Sequence, residues 1–429
     1  QAEDGIRDVE RSRGLGDVYK RQVYHVKPTP TAFKLRNLVY DAYMMEDHLL
    51  HFFFLGGPDF VVTPSAPPEE RNILGVISKV GLETGKKVIE TRKKLREIVI
   101  HLSGRIVHPV SGLPGGVSKG LVEEKRIEFM KYAEDALAFA KETLQIFNDI
   151  VLKNDKYLDL IVGDIYKHKT YYMGLVDEKN KVNFYDGKIR VVDPVGKELV
   201  KFEAKDYLEH IAEHVEPWSY IKFPFLKKIG WNGFTDGKDS GVYRVAPLAR
   251  LNASDGMATP IAQAEYEKMY DALGGKPAHN TLAFHWARLI EVMYAAEHMV
   301  ELLKDKGITS IDIRNIPTEV PDEGIGVVEA ARGTLFHHYK TDENGIITAV
   351  NLIVATVGNA AAMSMSIAKA AKNLIKDGEV NDGLLNMVEM AFRAYDPCLA
   401  CATHSLPGQM PLKVNIHNSK NEIVKTISR

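Results

Sequence analysis

The only two cysteines of the chain stand three positions apart, in Asp396-Pro397-Cys398-Leu399-Ala400-Cys401-Ala402-Thr403-His404. Two thiols this close cannot staple 429 residues, so a disulfide-built scaffold is ruled out and a hydrophobic core must hold the chain. The composition allows one: 45% of residues are hydrophobic and 26% charged, an ordinary globular balance. A formal net charge of -2 offers no basic field for nucleic acid and no acidic tail. No apolar run approaches the ~20 residues of a membrane span. Cysteine usage and the lack of a signal-peptide pattern make a reduced, cytoplasmic compartment the expectation.

The segment 1–22 is set apart. It is rich in Arg, Asp and Gly, has almost no apolar period and does not begin with Met. It reads as foreign or disordered sequence. After it the dominant period is helical. Leu35, Leu38, Ala42, Met45, Leu49 and Phe52 repeat at three and four, which predicts a helix over Ala32 to Leu55, stopped by Gly56-Gly57-Pro58. Arg71 to Leu102 reads as a second long helix, weak around Gly81 and Gly85. The stripe Met130, Ala133, Leu137, Ala140, Leu144, Phe147 predicts a third, and Asn280 to Leu303 a fourth.

The period changes between Tyr171 and Phe202, where turn signals at Asp177 to Asn180 and Asp186-Gly187 predict a small hairpin layer. Tyr220 to Ala258 reads as mixed loop. A second hairpin is expected within Val327 to Val357, turning at Asp342-Glu343-Asn344-Gly345. Asn359 to Asp377 and Asn381 to Arg393 are helical, and Met410 to Ile427 is a weak strand pair. The fold class is therefore mainly α with inserted β hairpins (α+β), not βαβ alternation.

The cysteine motif carries the chemistry. A CxxC brings two thiols close enough to chelate one soft metal, and thiolates select nickel, zinc, copper(I) and cluster iron. Asp396 and the loop amides can hydrogen-bond the sulfurs. His404 repeats the spacing of three and can add a ligand. Two other readings stand at this point. A structural zinc site needs four ligands, and no second cysteine pair is present. A redox dithiol follows a strand in a βαβ unit, whereas this motif follows a helix.

Read with the rest of the chain, DPCxxCxxH resembles the C-terminal metal motif of nickel-iron hydrogenase large subunits. Other stretches match the same family: Pro28 to Leu38 running into Glu46-Asp47-His48-Leu49-Leu50-His51-Phe52; His108-Pro109 through Val117; Tyr243 to Asn252; His285-Trp286-Ala287-Arg288; Glu329-Ala330-Ala331-Arg332-Gly333-Thr334-Leu335; and Asn351 to Thr356. The likeness runs from about Tyr24 onward, and its phrasing is most similar to the soluble cytosolic hydrogenases of methanogen and nicotinamide-linked type.

The resemblance implies a large-subunit-like helical body that oxidises or evolves hydrogen at a nickel-iron centre, its iron carrying cyanide and carbon monoxide. Cys398 would be a terminal nickel ligand and Cys401 a bridge between nickel and iron. Arg332 would overhang the open metal position, held by Asp47 and Asp396. Asp47 and His51, four apart on one helix face, would act together. His404 and the main-chain carbonyl of Leu352 would bind Mg2+. The family often has proline before the arginine; here it is Ala331, which leaves the cover over the site looser.

Partners implied are an iron-sulfur small subunit, further electron-transfer subunits, a maturation protease and nickel chaperones. Residues 23–404 would be the hydrogenase unit, and 405–429 an extension removed on maturation. The family's second cysteine pair, RxCGxC, is absent. The expectation is an N-terminally truncated sequence that cannot assemble an active centre as written. A quinone-binding relative within respiratory complex I and a zinc-binding structural protein are the competing classes. Cys398 and Cys401 argue against the first, which has lost them.

Overall fold

The computed structural model describes residues 23–106, 109–398 and 413–428. Four long helices make its centre. The first, α1 (Pro30–Leu50), starts where Thr29 accepts a hydrogen bond from Ala32 N at 3.2 Å and Pro30 occupies the first turn. Next come α2 (Leu82–Ser103), ended by the left-handed Gly104, and α3 (Glu123–Phe147). After a short helix, α4 (Pro247–Ala253), follows α5 (Phe284–Lys304). Helices α1, α2, α3 and α5 pack in a ring, each against two others.

The stripe expected on α1 is buried, but so are Tyr40, Asp41, Tyr43, Met44 and His48 on its other faces. A helix covered on all sides is the central rod of a body rather than a surface helix. Helix α5 is likewise buried along almost its whole length.

The one long helix expected over Arg71 to Leu102 is two. Ile73–Val80 ends at Gly81, whose φ of 94° and ψ of 152° lie outside the helical region, and α2 starts afresh at Leu82. Glycine tolerates that conformation, so the weak middle is a true break. The region read as mixed loop, Tyr220 to Ala258, is also more ordered than expected. It contains the strand Lys222–Leu226, a two-residue strand and α4.

Strands β1 (Tyr171–Val176), β2 (Lys188–Val192) and β3 (Glu198–Phe202) form the expected hairpin layer, with β4 (Tyr243–Arg244) added parallel to β1. Strands β5 (Glu323–Ala330), β6 (Gly333–Thr341) and β7 (Ile347–Ile353) form an antiparallel meander. The β6–β7 turn falls at the expected Asp342 to Gly345. A second apolar cluster, including Met173, Val191, Tyr243, Val327 and Phe336, joins the two sheets. Two further helices, α6 (Ala360–Leu374) and α7 (Asp382–Arg393), lead to the cysteine motif. The terminal strand pair is present as Lys413–His417 and Ile423–Ser428.

Among the described residues, no helix is long and apolar enough to cross a membrane.

Candidate metal centre

Arg332 sits within the region where one hairpin was expected, and the structure adds a second turn there. It lies in that added turn, between β5 and β6, where Gly333 pairs with Ala330. Gly333 has φ 136°, and a Cβ there would lie 2.2 Å from Val245 Cγ2. The turn therefore presses flat on Val245 only because it carries no side chain. Asn359 completes the clamp: its Nδ2 donates to Arg332 O at 3.3 Å and its Oδ1 accepts from Val245 N at 2.9 Å.

Beneath the turn lies a buried charge cluster. Arg250 of α4 is fully enclosed and pairs with Glu291 of α5 through two bonds of 2.6 Å, and with Glu329 of β5 at 2.8 Å. It also donates to Ala330 O at 2.9 Å. His48 of α1 lies 2.9 Å from the same Glu291. Burial opposes the Arg250 charge, but the two carboxylates outweigh it and hold its pKa above the ordinary value. Bidentate geometry suits guanidinium. The cluster ties α1, α4, α5 and β5 together directly behind Arg332.

In front of the turn the Arg332 guanidinium lies between two carboxylates. Nη1 is 3.3 Å from Asp47 Oδ2 and Nη2 is 3.3 Å from Asp396 Oδ2. Asp396 is buried, and burial pushes its carboxyl up to about 6, with Arg332 and Arg288 pulling it back down and Asp47 adding to the rise. Its backbone has φ 57° immediately before Pro397. That left-handed conformation is uncommon for any residue with a side chain, and Asp is among the few that adopt it readily. Arg288 of α5 is fully buried, with Nη2 donating to Ala394 O at 3.0 Å. Burial lowers its pKa to about 10 while Asp396 and Glu291 support the charge.

Asp47 and His51 lie on one helix face, and their side chains take different partners, Asp47 facing Arg332. At His51 the α1 helix widens into a π-turn, His51–Gly56, with Gly57 N bonded to Phe52 O at 2.7 Å. His51 N–H still bonds to Asp47 O, so the two stay four apart on one helix face, and the widening falls on the C-terminal side of His51. His51 Nε2 lies 2.9 Å from Arg393 O, and its ring stacks on His285 at 5.5 Å and 18°. Both imidazoles are buried, and their pKa values are pushed down by burial and then by Arg288. Gly56 makes the stack possible: a Cβ on it would lie 2.5 Å from His285 and 2.9 Å from His51.

Cys398 is half-buried, two residues beyond Asp396. Cys401 and His404 lie outside the described residues. Leu352 is in β7, opposite His337 of β6 and packed on the main core. The structure thus brings together Arg332, Asp47 and Asp396 with the start of the cysteine loop, and places His51 at one side. Sequence reasoning quoted His285 and Arg288 only as part of a matching stretch, without a role, and did not name Glu291, although a run of ionisable residues three apart in an otherwise apolar helix was a readable signal. It also missed Asn359, whose role depends on a fold that brings two distant turns together.

The donor set fits part of a thiolate-held soft-metal pair. Cys398 supplies one sulfur, two residues beyond the carboxylate that pairs with the Arg332 guanidinium. Three buried nitrogens, His51 Nδ1, His285 Nδ1 and Arg288 Nε, make no hydrogen bond among the described residues. No group of three or more His, Cys, Asp or Glu among the described residues could itself enclose a metal ion. The remaining thiol of the chain, Cys401, would have to join from the same loop.

Comparison with known proteins matches residues 86–404 to the nickel-dependent hydrogenase family. The iron-sulfur subunit of an F420-non-reducing hydrogenase from Archaeoglobus profundus is 49% identical over 94% of this chain and 83% of its own length. The beta subunit of the NAD-reducing hydrogenase HoxS of Cupriavidus necator is 36% identical over 94% of this chain and 81% of its own. The crystal structure of an NAD+-reducing [NiFe]-hydrogenase in its H2-reduced state superposes with a TM-score of 0.84 at 33% identity, covering 92% of this chain and 85% of that one. These likenesses favour neither the zinc-structural nor the quinone-binding reading.

Proposed function

The chain belongs to the nickel-dependent hydrogenase family, as the large catalytic subunit of a nickel-iron hydrogenase, and on that premise we propose which of its residues serve the reaction. A nickel-iron pair, when bound, supplies the Lewis acidity and electron storage for splitting hydrogen. Cys398 and Cys401 would hold it from this chain. Soft thiolate sulfur is the ligand nickel selects.

Arg332 is the group that orders the cleavage. Its planar fork is anchored at both ends, by Asp47 and Asp396, so it presents a fixed positive field to the loop that carries Cys398. The thiolate Sγ of Cys398 accepts the proton. Asp396 serves by holding Arg332, and His51 by holding the chain at Arg393 O. The observation that carries this reading is the Asp47–Arg332–Asp396 bridge at the entrance to the cysteine loop.

The resemblance alone supports the finer assignments. They are cyanide and carbon monoxide on the iron, and Mg2+ held by His404 and the Leu352 carbonyl. Residues 405–429 would be removed on maturation by a protease acting after nickel chaperones. The family match stopping at His404 supports that boundary, as does the largely exposed terminal hairpin; residues 23–404 would then be the working unit. Electrons leave to an iron-sulfur small subunit, since the chain's two cysteines leave none for a cluster of its own. We place the enzyme in the cytoplasm, as its soluble relatives by resemblance are.

Cys398→Ser in the complete enzyme tests the assignment. Nickel content should fall to background; nickel retained at the unmutated level would overturn it.

A further inference from the structure

A second polar cluster lies behind the cysteine loop. His168 is buried, and its Nε2 is 2.6 Å from Ser366 Oγ and 3.3 Å from Tyr395 OH. The two hydroxyls are 2.9 Å apart, and Thr281 Oγ1 lies 3.4 Å from Ser366 Oγ. On the other side of the ring, Nδ1 faces Asp236 at 3.5 Å, a carboxylate that is 49% exposed. Arg244 holds the His168 main chain by donating to its carbonyl oxygen and to His279 O.

The direction of these bonds follows from what each group can donate. An ionised Asp236 only accepts, so a neutral His168 turns Nδ1–H toward it and leaves Nε2 to accept. Ser366 O–H then donates to Nε2, and Tyr395 O–H donates to Ser366 Oγ. Nδ1 makes no hydrogen bond to Asp236 at 3.5 Å, so the fixed side of the network is Nε2–Ser366–Tyr395, where the hydrogen bonds rigidify it. Tyr395 also packs its ring on Phe284, with centroids 4.7 Å apart.

Tyr395 is the last residue before the left-handed Asp396. The two residues ahead of it are tied by main-chain oxygens, Arg393 to His51 and Ala394 to Arg288. Tyr395 is tied by its side chain, so its hydroxyl sets the heading of the chain as it leaves α7 for Cys398.

We propose that His168 is a positioning residue for the thiol loop, acting through Ser366 and Tyr395 to aim Asp396-Pro397-Cys398. The proposal rests on the reading of Cys398 as a metal ligand.

The test is the rate at which iodoacetamide alkylates Cys398 in the reduced, metal-free chain, followed by peptide mass spectrometry. Tyr395→Phe and His168→Leu should raise that rate about fivefold, the factor expected from one buried hydrogen bond. His168→Gln, whose amide oxygen can accept from Ser366, should restore most of the slow rate. Tyr270→Phe is the control, since it removes a buried hydroxyl bonded to Asn252 at 2.8 Å, far along the chain from the loop. An unchanged rate in Tyr395→Phe overturns the proposal, as does an equal rise in Tyr270→Phe. Because no metal is present, this outcome is independent of the nickel assignment, which fails only if Cys398→Ser leaves nickel content untouched.

Discussion

Arg332 Nη2 and Asp396 Oδ2 meet at 3.3 Å across 64 residues of chain, and each is held in an unusual backbone setting by its surroundings. One sits in a hairpin turn flattened on Val245, the other in a left-handed kink before proline. Neither can move far without the other.

Arg332→Lys should therefore be a severe change despite keeping the charge. Lysine offers a single point of charge and cannot span Asp47 and Asp396 together. In the complete enzyme, hydrogen-dependent dye reduction should fall about 10²- to 10³-fold, the usual loss of one preorganised electrostatic group, with nickel content unchanged. Wild-type turnover in the lysine variant would exclude Arg332 from the chemistry.

At Asp396 two substitutions should separate backbone from charge. Asparagine accepts a left-handed φ, whereas alanine pays the steric penalty of about 1 kcal/mol. Asp396→Asn should melt close to the wild-type temperature and Asp396→Ala about a degree lower. Equal melting of the two would show that the kink relaxes freely.

Much of this was readable beforehand, for a physical reason. The long helices announced themselves because burial on one stripe repeats at three and four, and the DPCxxCxxH and Ala-Arg-Gly motifs because their chemistry is local. What could not be read depends on contacts between distant segments. Asp47 and His51 have the spacing of neighbours and keep it, but only the assembled fold shows that one turns to Arg332 and the other to Arg393 O. Arg250, Glu291 and Glu329 looked like ordinary charged residues; their pairing requires the helix bundle and the second sheet to be assembled first.

That buried cluster should be costly to break. Glu329→Ala strips Arg250 of one enclosed partner and should destabilise the chain by about 3–5 kcal/mol in urea unfolding. Lys86→Ala, which removes a pair with Glu83 on an exposed helix face, should leave the urea midpoint where it was. Similar shifts for both would mean the cluster is not dry.

Acid should weaken the fold through its buried histidines. Burial pulls His168 and His337 down to about 3, below the ~6.5 of an unfolded chain. Between those values the unfolded state binds protons that the folded state refuses, so stability is full above about pH 6.5 and declines as pH falls. Each histidine contributes up to about 1.4 kcal/mol per pH unit there. His337→Leu should flatten the melting-temperature slope between pH 6.5 and 4; an unaltered slope would sink this account.

Nickel uptake by the 429 residues themselves should stay well below one equivalent by elemental analysis, because two thiols supply half of the four-sulfur set that the family resemblance implies. One equivalent bound by this chain alone would show that other side chains complete the set.

Gly56 carries a consequence for inheritance. The His51–His285 stack leaves no room there for even a methyl group. Every single-base change in a glycine codon that alters the residue adds at least one carbon, or ends the chain. The position is thus narrow for gradual variation, and any lineage that departs from glycine at residue 56 must have moved or lost one of the two rings.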